Sequence, residues 1–291
     1  VMIIAEPWGG GYDPERFSDI GWSSWNDHFR NGVKGKNSRD GLGFIFGRWE
    51  DGSDGDRLAR FVMGSLREYG GQYQEVAHNV NYLESHDDHT LGDFIRIGLR
   101  DVDENRAIQN LTEHARVRGD QLALNKLAAI FLFTSQGAVM VHEGQSWGRS
   151  KVIAKTDAPD PRVGYIDHNS YEKDNETNWL NWDHKELNRD LVEYYRGLIA
   201  LRNTYSEFRR SCPDDFSFLH VGRQVAVAYV LKNTFAVLMN GSPGRELEIE
   251  LPEGMWEVLV DAESVDLDGK AQVNGKIRIP PKAGMVLRRL N

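Results

Sequence analysis

The stretch VAHNVNYLESHDDHT, residues 76–90, decides how this 291-residue chain is read. Its first nine residues have the β-branched and aromatic content of a short strand, and the last six, SHDDHT, are all polar. A strand that gives way at once to His86, Asp87, Asp88 and His89 is what a parallel α/β sheet shows where its carboxyl ends open onto a ligand. The sequence on either side agrees, because residues 1–205 alternate short apolar stretches with amphipathic helical ones, as βα units do. Residues 1–5 (VMIIA) read as a buried strand running into Glu6. Residues 121–134 (QLALNKLAAIFLFT) space Leu122, Leu124, Leu127, Ala128 and Phe131 as a helix does, and 138–142 (AVMVH) follow as another strand. Residues 190–203 (DLVEYYRGLIALRN) read as a helix capped by Asp190. The segments 31–60 and 143–188 are polar, glycine-rich and aromatic, and read as loops above the strand ends.

After Cys212 the pattern changes to short alternating runs separated by Gly, Pro, Asn and Ser: VAVAYVL (225–231), FAVLMN (235–240), LEIEL (247–251), WEVLVD (256–261), KIRIP (276–280) and MVLRRL (285–290). In LEIEL the period of two turns Leu247, Ile249 and Leu251 inward and Glu248 and Glu250 to water. The expectation is an antiparallel β-sandwich over 212–291, following an α/β unit over 1–211.

Composition narrows the function. A net charge of −9 with scattered Lys and Arg argues against a nucleic-acid surface, and no apolar run reaches the ~18–20 residues of a membrane span. The single cysteine, Cys212, cannot form an internal disulfide. Trp8, Trp22, Trp25 and Trp49 fall in the first 49 residues among Asn26, Asp27 and Arg30. Rings that pack on pyranose faces, beside groups that bond hydroxyls, suit a sugar cleft. Glu6 and Asp87, each just beyond a strand, would share one rim, and paired carboxylates beside an imidazole, His86, suit glycoside hydrolysis. A rival reading takes His86, Asp87, Asp88 and His89 as ligands of a metal-dependent phosphohydrolase. Alternation along an extended chain sends consecutive side chains to opposite faces, which works against four of them converging on one ion. TSQGAVMVHEGQSWGRSK (134–151) repeats the strand-to-rim pattern and offers His142, Glu143 and Trp147 as sugar contacts. HNSYEKDNETNWLNW (168–182) reads by composition as an ordered loop.

These residues together resemble the α-amylase superfamily of glycoside hydrolases, and within it the pullulanase and isoamylase debranching enzymes. IIAEPW (3–8) resembles the end of that family's fifth barrel strand, WNDHFRNGVKG (25–35) the stretch after it, and NYLESHDDHTL (81–91) the seventh-strand motif. Residues 134–151 resemble the eighth-strand region, 168–182 a loop of debranching members, and YYRGLIALRNTYSEFRR (194–210) the last barrel helix. The resemblance implies the C-terminal half of a (β/α)8 TIM barrel, strands five to eight, followed by the β-sandwich. It implies Glu6 as general acid/base, held protonated in a water-poor site beside Trp8, and Asp87 with His86 as stabilisers of the transition state. Trp22, Trp25 and Trp147 become candidate platforms for neighbouring glucose units.

The family's third- and fourth-strand motifs, an Asp followed by Asn-His and a Gly-x-Arg-x-Asp segment bearing the nucleophile, do not occur in these 291 residues. The resemblance therefore implies that the chain alone is inactive and that its partner is the N-terminal half of the barrel, as a second chain or replaced by self-association. The substrate implied is an α-glucan with α-1,6 branches; α-1,4 hydrolysis or transfer uses the same acid, and a non-catalytic carbohydrate-binding role is the alternative. No cofactor is implied, and a structural calcium is not indicated.

Overall fold

Four short strands lie side by side in one parallel sheet in the order β1 (Ile4–Ala5), β2 (Ser23–Trp25), β3 (Asn79–Asn81) and β4 (Ala138–Val139). The structure is a computed structural model, and it describes residues 1–49 and 54–290; residues 50–53 of the stretch read as loop lie outside the described residues. The register aligns Ala5 with Ser24, Trp25 with Val80 and Asn81 with Val139, so all four carboxyl ends point the same way. A buried amide cluster ties the strands together. Asn26 Nδ2 donates to Ser65 Oγ (2.9 Å) and Asn79 Oδ1 (3.0 Å), while Asn81 Nδ2 donates to the Gln136 carbonyl (2.8 Å). Asn26 Oδ1 also accepts the Phe29 N–H, capping the helix Asp27–Val33 that leaves the rim.

Several elements are shorter than the sequence suggested. The strand read over 76–84 is three residues long, preceded by a 3₁₀ turn at Val76–His78, and Asn79 and Asn81 commit their side chains to the amide cluster. The strand read over 1–5 is Ile4–Ala5 alone, and it is not buried: Val1 to Ile4 are all exposed, since among the described residues β1 pairs only with β2 and no side chain covers its apolar side. The loop read over 31–60 contains a small hairpin (Gly35–Asn37 with Gly41–Leu42) and a helix, Gly55–Val62, capped by Asp54 accepting the Arg57 N–H at 2.7 Å. That helix buries Leu58, Phe61 and Val62, an i, i+3, i+4 set hidden between charged residues.

The helix Asp120–Thr134 is buried nearly all round, and Phe131 meets Phe29 and Phe44 at ring distances of 5.5 and 5.3 Å. The helix Arg189–Thr204 begins after Asn188, not at Asp190. Asn188 spends its side chain on other loops, accepting from Val117 N–H (2.9 Å) and donating to the Ala115 and Trp147 carbonyls (both 2.8 Å).

Beyond residue 212 the strands are antiparallel. Six of them form one sheet in the order Gln272–Val273, Trp256–Val260, Ala283–Arg289, Phe235–Asn240, Ala226–Leu231, Phe216–Phe218, and Leu247–Glu250 pairs with Lys276–Ile279 beside it. Leu247, Ile249 and Leu251 are buried and Glu248 and Glu250 exposed, as the alternation required. The six-stranded sheet lies directly on the two long helices, so one apolar cluster runs from Phe29 and Phe131 through Tyr195 to Val237 and Val286. Polar ties cross the same contact: Tyr194 Oη donates to the Asp261 carbonyl (2.6 Å), Tyr229 Oη to that of Thr134 (3.1 Å), and Lys126 Nζ to that of Glu263 (2.8 Å). The change of composition near residue 211 thus coincides with a change of strand type inside a shared core. Among the described residues no helix is long and apolar enough to cross a membrane.

Candidate active site

At the carboxyl ends of the parallel sheet, Glu6 follows β1 and His86 and Asp87 lie in the turn after β3. One oxygen or ring nitrogen from each of the three lies within 4.8 Å of the others. This is also the group of His, Cys, Asp and Glu side chains that could hold a metal ion among the described residues. A cavity of about 450 Å³ opens beside it, lined by Trp8, Tyr12, Asp27, Arg30 and the Asp87–Asp88 pair, with Asn169 closing one side.

The turn that carries Asp87 is held from beneath. Lys151, 1% exposed, donates its Nζ protons to the carbonyls of His86 (3.1 Å) and Asp88 (2.9 Å), one on each side of Asp87. Asp88 has φ +58°, a left-handed conformation that Asp tolerates better than most residues. The Lys151 backbone N–H donates to Asp93 Oδ2 at 2.9 Å, fixing the other end of the strut. Burial lowers the Lys151 ammonium pKa, and the nearby Glu84 and Asp93 carboxylates oppose that.

The cavity floor is a charged network. Arg30 Nη1 donates to Tyr82 Oη (2.9 Å) and Nη2 pairs with Asp27 Oδ2 (3.2 Å), while Tyr82 Oη donates to Asp27 Oδ1. Burial pushes the Asp27 carboxyl above the usual carboxylate range, with Arg30 and Tyr82 pulling it back. Tyr12 Oη accepts the Asp27 N–H at 2.9 Å. Beneath this layer, Trp8 meets Trp25 edge-on (5.8 Å), and Trp25 meets Tyr82 (5.2 Å) and His86 (5.9 Å).

The structure brings Glu6, Trp8, His86 and Asp87 together and puts the other candidates elsewhere. Glu6 is exposed, so the water-poor setting expected for it is not present in this chain. Trp25 is 9% exposed and packs against Trp8 and Tyr82, which leaves little of its ring to offer a sugar. Trp22 precedes β2 and so sits at the opposite, amino end of the sheet, beside Phe17 (6.2 Å). Trp147 is buried against Trp182 (5.4 Å). His142 donates from Nδ1 to Glu84 Oε1 at 2.9 Å; Glu84 is fully buried, and its other oxygen accepts the Leu91 N–H at 2.8 Å. His142 thus locks the rim turn and lies outside the cavity lining, and Glu143 is exposed with its carbonyl 3.5 Å from Arg149. The four-residue metal reading fails in geometry: His89 faces Glu104 (Nε2 to Oε2, 3.3 Å) and His168, away from His86.

Sequence reasoning missed Tyr12, Tyr82 and Asn169, and also Tyr171, an exposed ring 6.2 Å from that of His86. Tyr82 carried a signal, as the last aromatic of a strand before a polar rim. Asn169 and Tyr171 arrive on a long loop, and local sequence gives no hint of where such a loop folds over.

No family model matches the chain. The pullulanase of Bacillus subtilis (strain 168) is 29% identical to it over 203 residues, which is 68% of this chain and 24% of the pullulanase. The fold matches a pullulanase from Bacillus acidopullulyticus with a TM-score of 0.80 at 24% identity, over 99% of this chain and 34% of that one. A pullulanase from Paenibacillus barengoltzii, in complex with maltohexaose and α-cyclodextrin, matches all of this chain and 44% of its own length at 28% identity, with a TM-score of 0.72. The chain spans about a quarter of the length of the curated pullulanase it matches. On sequence and fold together, this chain is a relative of the pullulanase-type debranching enzymes of the α-amylase superfamily, matching part of their length.

Proposed function

We propose that this chain is part of a retaining glycoside hydrolase that cleaves α-1,6 branch bonds in α-glucans. The observation that carries the reading is the convergence of Glu6, His86 and Asp87 within 4.8 Å at one sheet rim. Glu6 protonates the glycosidic oxygen, while ionised Asp87 and His86 bond the sugar hydroxyls as positive charge develops on the ring. As the glycosidic bond breaks, a carboxylate from outside this chain bonds the anomeric carbon; Glu6 then deprotonates a water that attacks that carbon, displacing the carboxylate and releasing the sugar. Asp27 and Arg30 bond further hydroxyls along the cavity, and Trp8 packs on a ring face. The relatives' greater length supports a nucleophilic carboxylate from residues outside this chain, with the four-stranded sheet as one half of a (β/α)8 barrel and residues 212–291 as a β-sandwich domain. The bound glucan and that second half supply the dry surroundings that exposed Glu6 lacks here.

The α-1,6 preference rests on the debranching relatives, and the P. barengoltzii enzyme's maltohexaose supports an α-glucan ligand. The test is release of reducing ends from pullulan by the enzyme containing this chain. Asp87→Asn should lower kcat by at least about a hundredfold, the scale of lost transition-state electrostatics. Unchanged kcat removes Asp87 from the role. The metal cluster geometry favours one second reading, a metal-dependent phosphohydrolase on Glu6, His86 and Asp87. Phosphatase activity that a chelator abolishes, with no glucan cleavage, would establish it.

A further inference from the structure

A second cavity of about 230 Å³ adjoins the first, with Asp88 in the wall of both. Lys34 lies in its lining, only 3% exposed, and its ammonium sits 4.3 Å over the Phe94 ring with no hydrogen bond or ion pair of its own among the described residues. Burial pushes that ammonium down to about 7; Arg30 adds to the effect, and Asp88, Glu84 and Asp27 oppose it. His89 presents a buried Nε2 without a hydrogen-bond partner, 3.3 Å from Glu104. Glu104 is already paired with Arg39. Lys34, Lys36 and His168 have no ion pair among the described residues, and the basic side chains of the lining, with Arg39 and His89, outnumber the two carboxylates, Asp88 and Glu104.

Such a set has more donors than acceptors. A sugar hydroxyl satisfies one donor at a time, whereas a tetrahedral oxyanion presents several oxygens and makes charge-assisted bonds with all of them. We propose that this cleft binds a phosphate-class oxyanion through Lys34, Lys36 and His89, either as a monoester on a glucan chain or as free phosphate. The shared Asp88 wall puts such an ester one residue away from the main cavity. The oxyanion site stands independently of the debranching reading; only the ester form rests on it.

Thermal shift and calorimetric titration of the chain with inorganic phosphate, at ionic strength held constant with sodium chloride, test the site. Saturable binding is expected, weakened at least about tenfold in Lys34→Met, as loss of one charged hydrogen bond predicts. Lys36→Gln, on the exposed rim, gives the same readout should Lys34→Met fail to fold. No saturable binding by the wild type, or unchanged affinity in the folded variants, overturns the proposal. A phosphorylated maltooligosaccharide that binds more tightly than both phosphate and its unphosphorylated counterpart identifies the ester as ligand, and equal affinity for phosphate and ester identifies free phosphate. Phosphate binding with no affinity for either oligosaccharide sustains the site while removing the glucan reading.

Discussion

Lys34 and Lys151 are both buried lysines, and their surroundings give them opposite jobs. Lys151 is satisfied by the two carbonyls that flank Asp87, so it acts as a strut. Lys151→Met should cost about 2 kcal/mol, the scale of hydrogen bonds from a charged donor, and should speed hydrogen exchange at the amides of 86–89. Denaturant titration with exchange mass spectrometry checks both, and unchanged exchange at that turn would show that other contacts hold it. Among the described residues Lys34 has no such partners, and burial pushes its ammonium down to about 7, below the ordinary lysine value of 10.5. Between those values the unfolded chain binds more protons than the folded one, so stability rises with pH across that window and is flat below it. Against a Lys34→Met control, the wild type should gain up to about 1.4 kcal/mol per pH unit between pH 7.5 and 9.5. Equal slopes in urea titrations of the two proteins would contradict this placement of the charge.

At the level of elements, legibility followed the number of residues available to set a period. The helix Asp120–Thr134 was readable because fifteen residues repeat their apolar spacing, and Leu247–Glu250 because its two faces differ completely in polarity. The parallel strands are two or three residues long, too short for any period, and only the polar clusters that follow them gave their ends away. Gly55–Val62 was lost among its charged neighbours. The convergence of Glu6, His86 and Asp87 was legible because Glu6 directly follows β1 and the polar run holding His86 and Asp87 comes shortly after β3. The positions of Trp22, Trp25 and Trp147 were not, since residue type does not say at which end of a sheet, or on which side of a packed layer, an indole finishes. The buried helix also gives a stability prediction. Phe131→Ala removes a fully buried ring wedged between Phe29 and Phe44 and should cost about 3–5 kcal/mol in urea denaturation, with a value under 1 kcal/mol contradicting the packing described.

For the whole molecule, the continuous core joining the parallel and antiparallel sheets implies a single cooperative unfolding transition rather than two. The contact is close. A Cβ on Gly284 would lie 2.7 Å from Ile130 Cδ1, so Gly284→Val should destabilise both parts together, by about 1–3 kcal/mol. Two resolved transitions in calorimetry, only one of them shifted, would show that the sheets are energetically separate. The same scale explains the open apolar surface at the amino end of the parallel sheet, where Val1, Met2, Ile3, Ile20 and Trp22 line a cavity of about 810 Å³. A four-stranded parallel sheet has two edges, and a closed barrel has none. The most direct measurement is a crystal structure of this protein with a maltooligosaccharide bound. One glucosyl ring is expected within hydrogen-bond reach of both the Glu6 and Asp87 carboxylates, with His86 on the same ring; sugar bound elsewhere while a metal ion bridges Glu6, His86 and Asp87 would contradict the glycosidase reading.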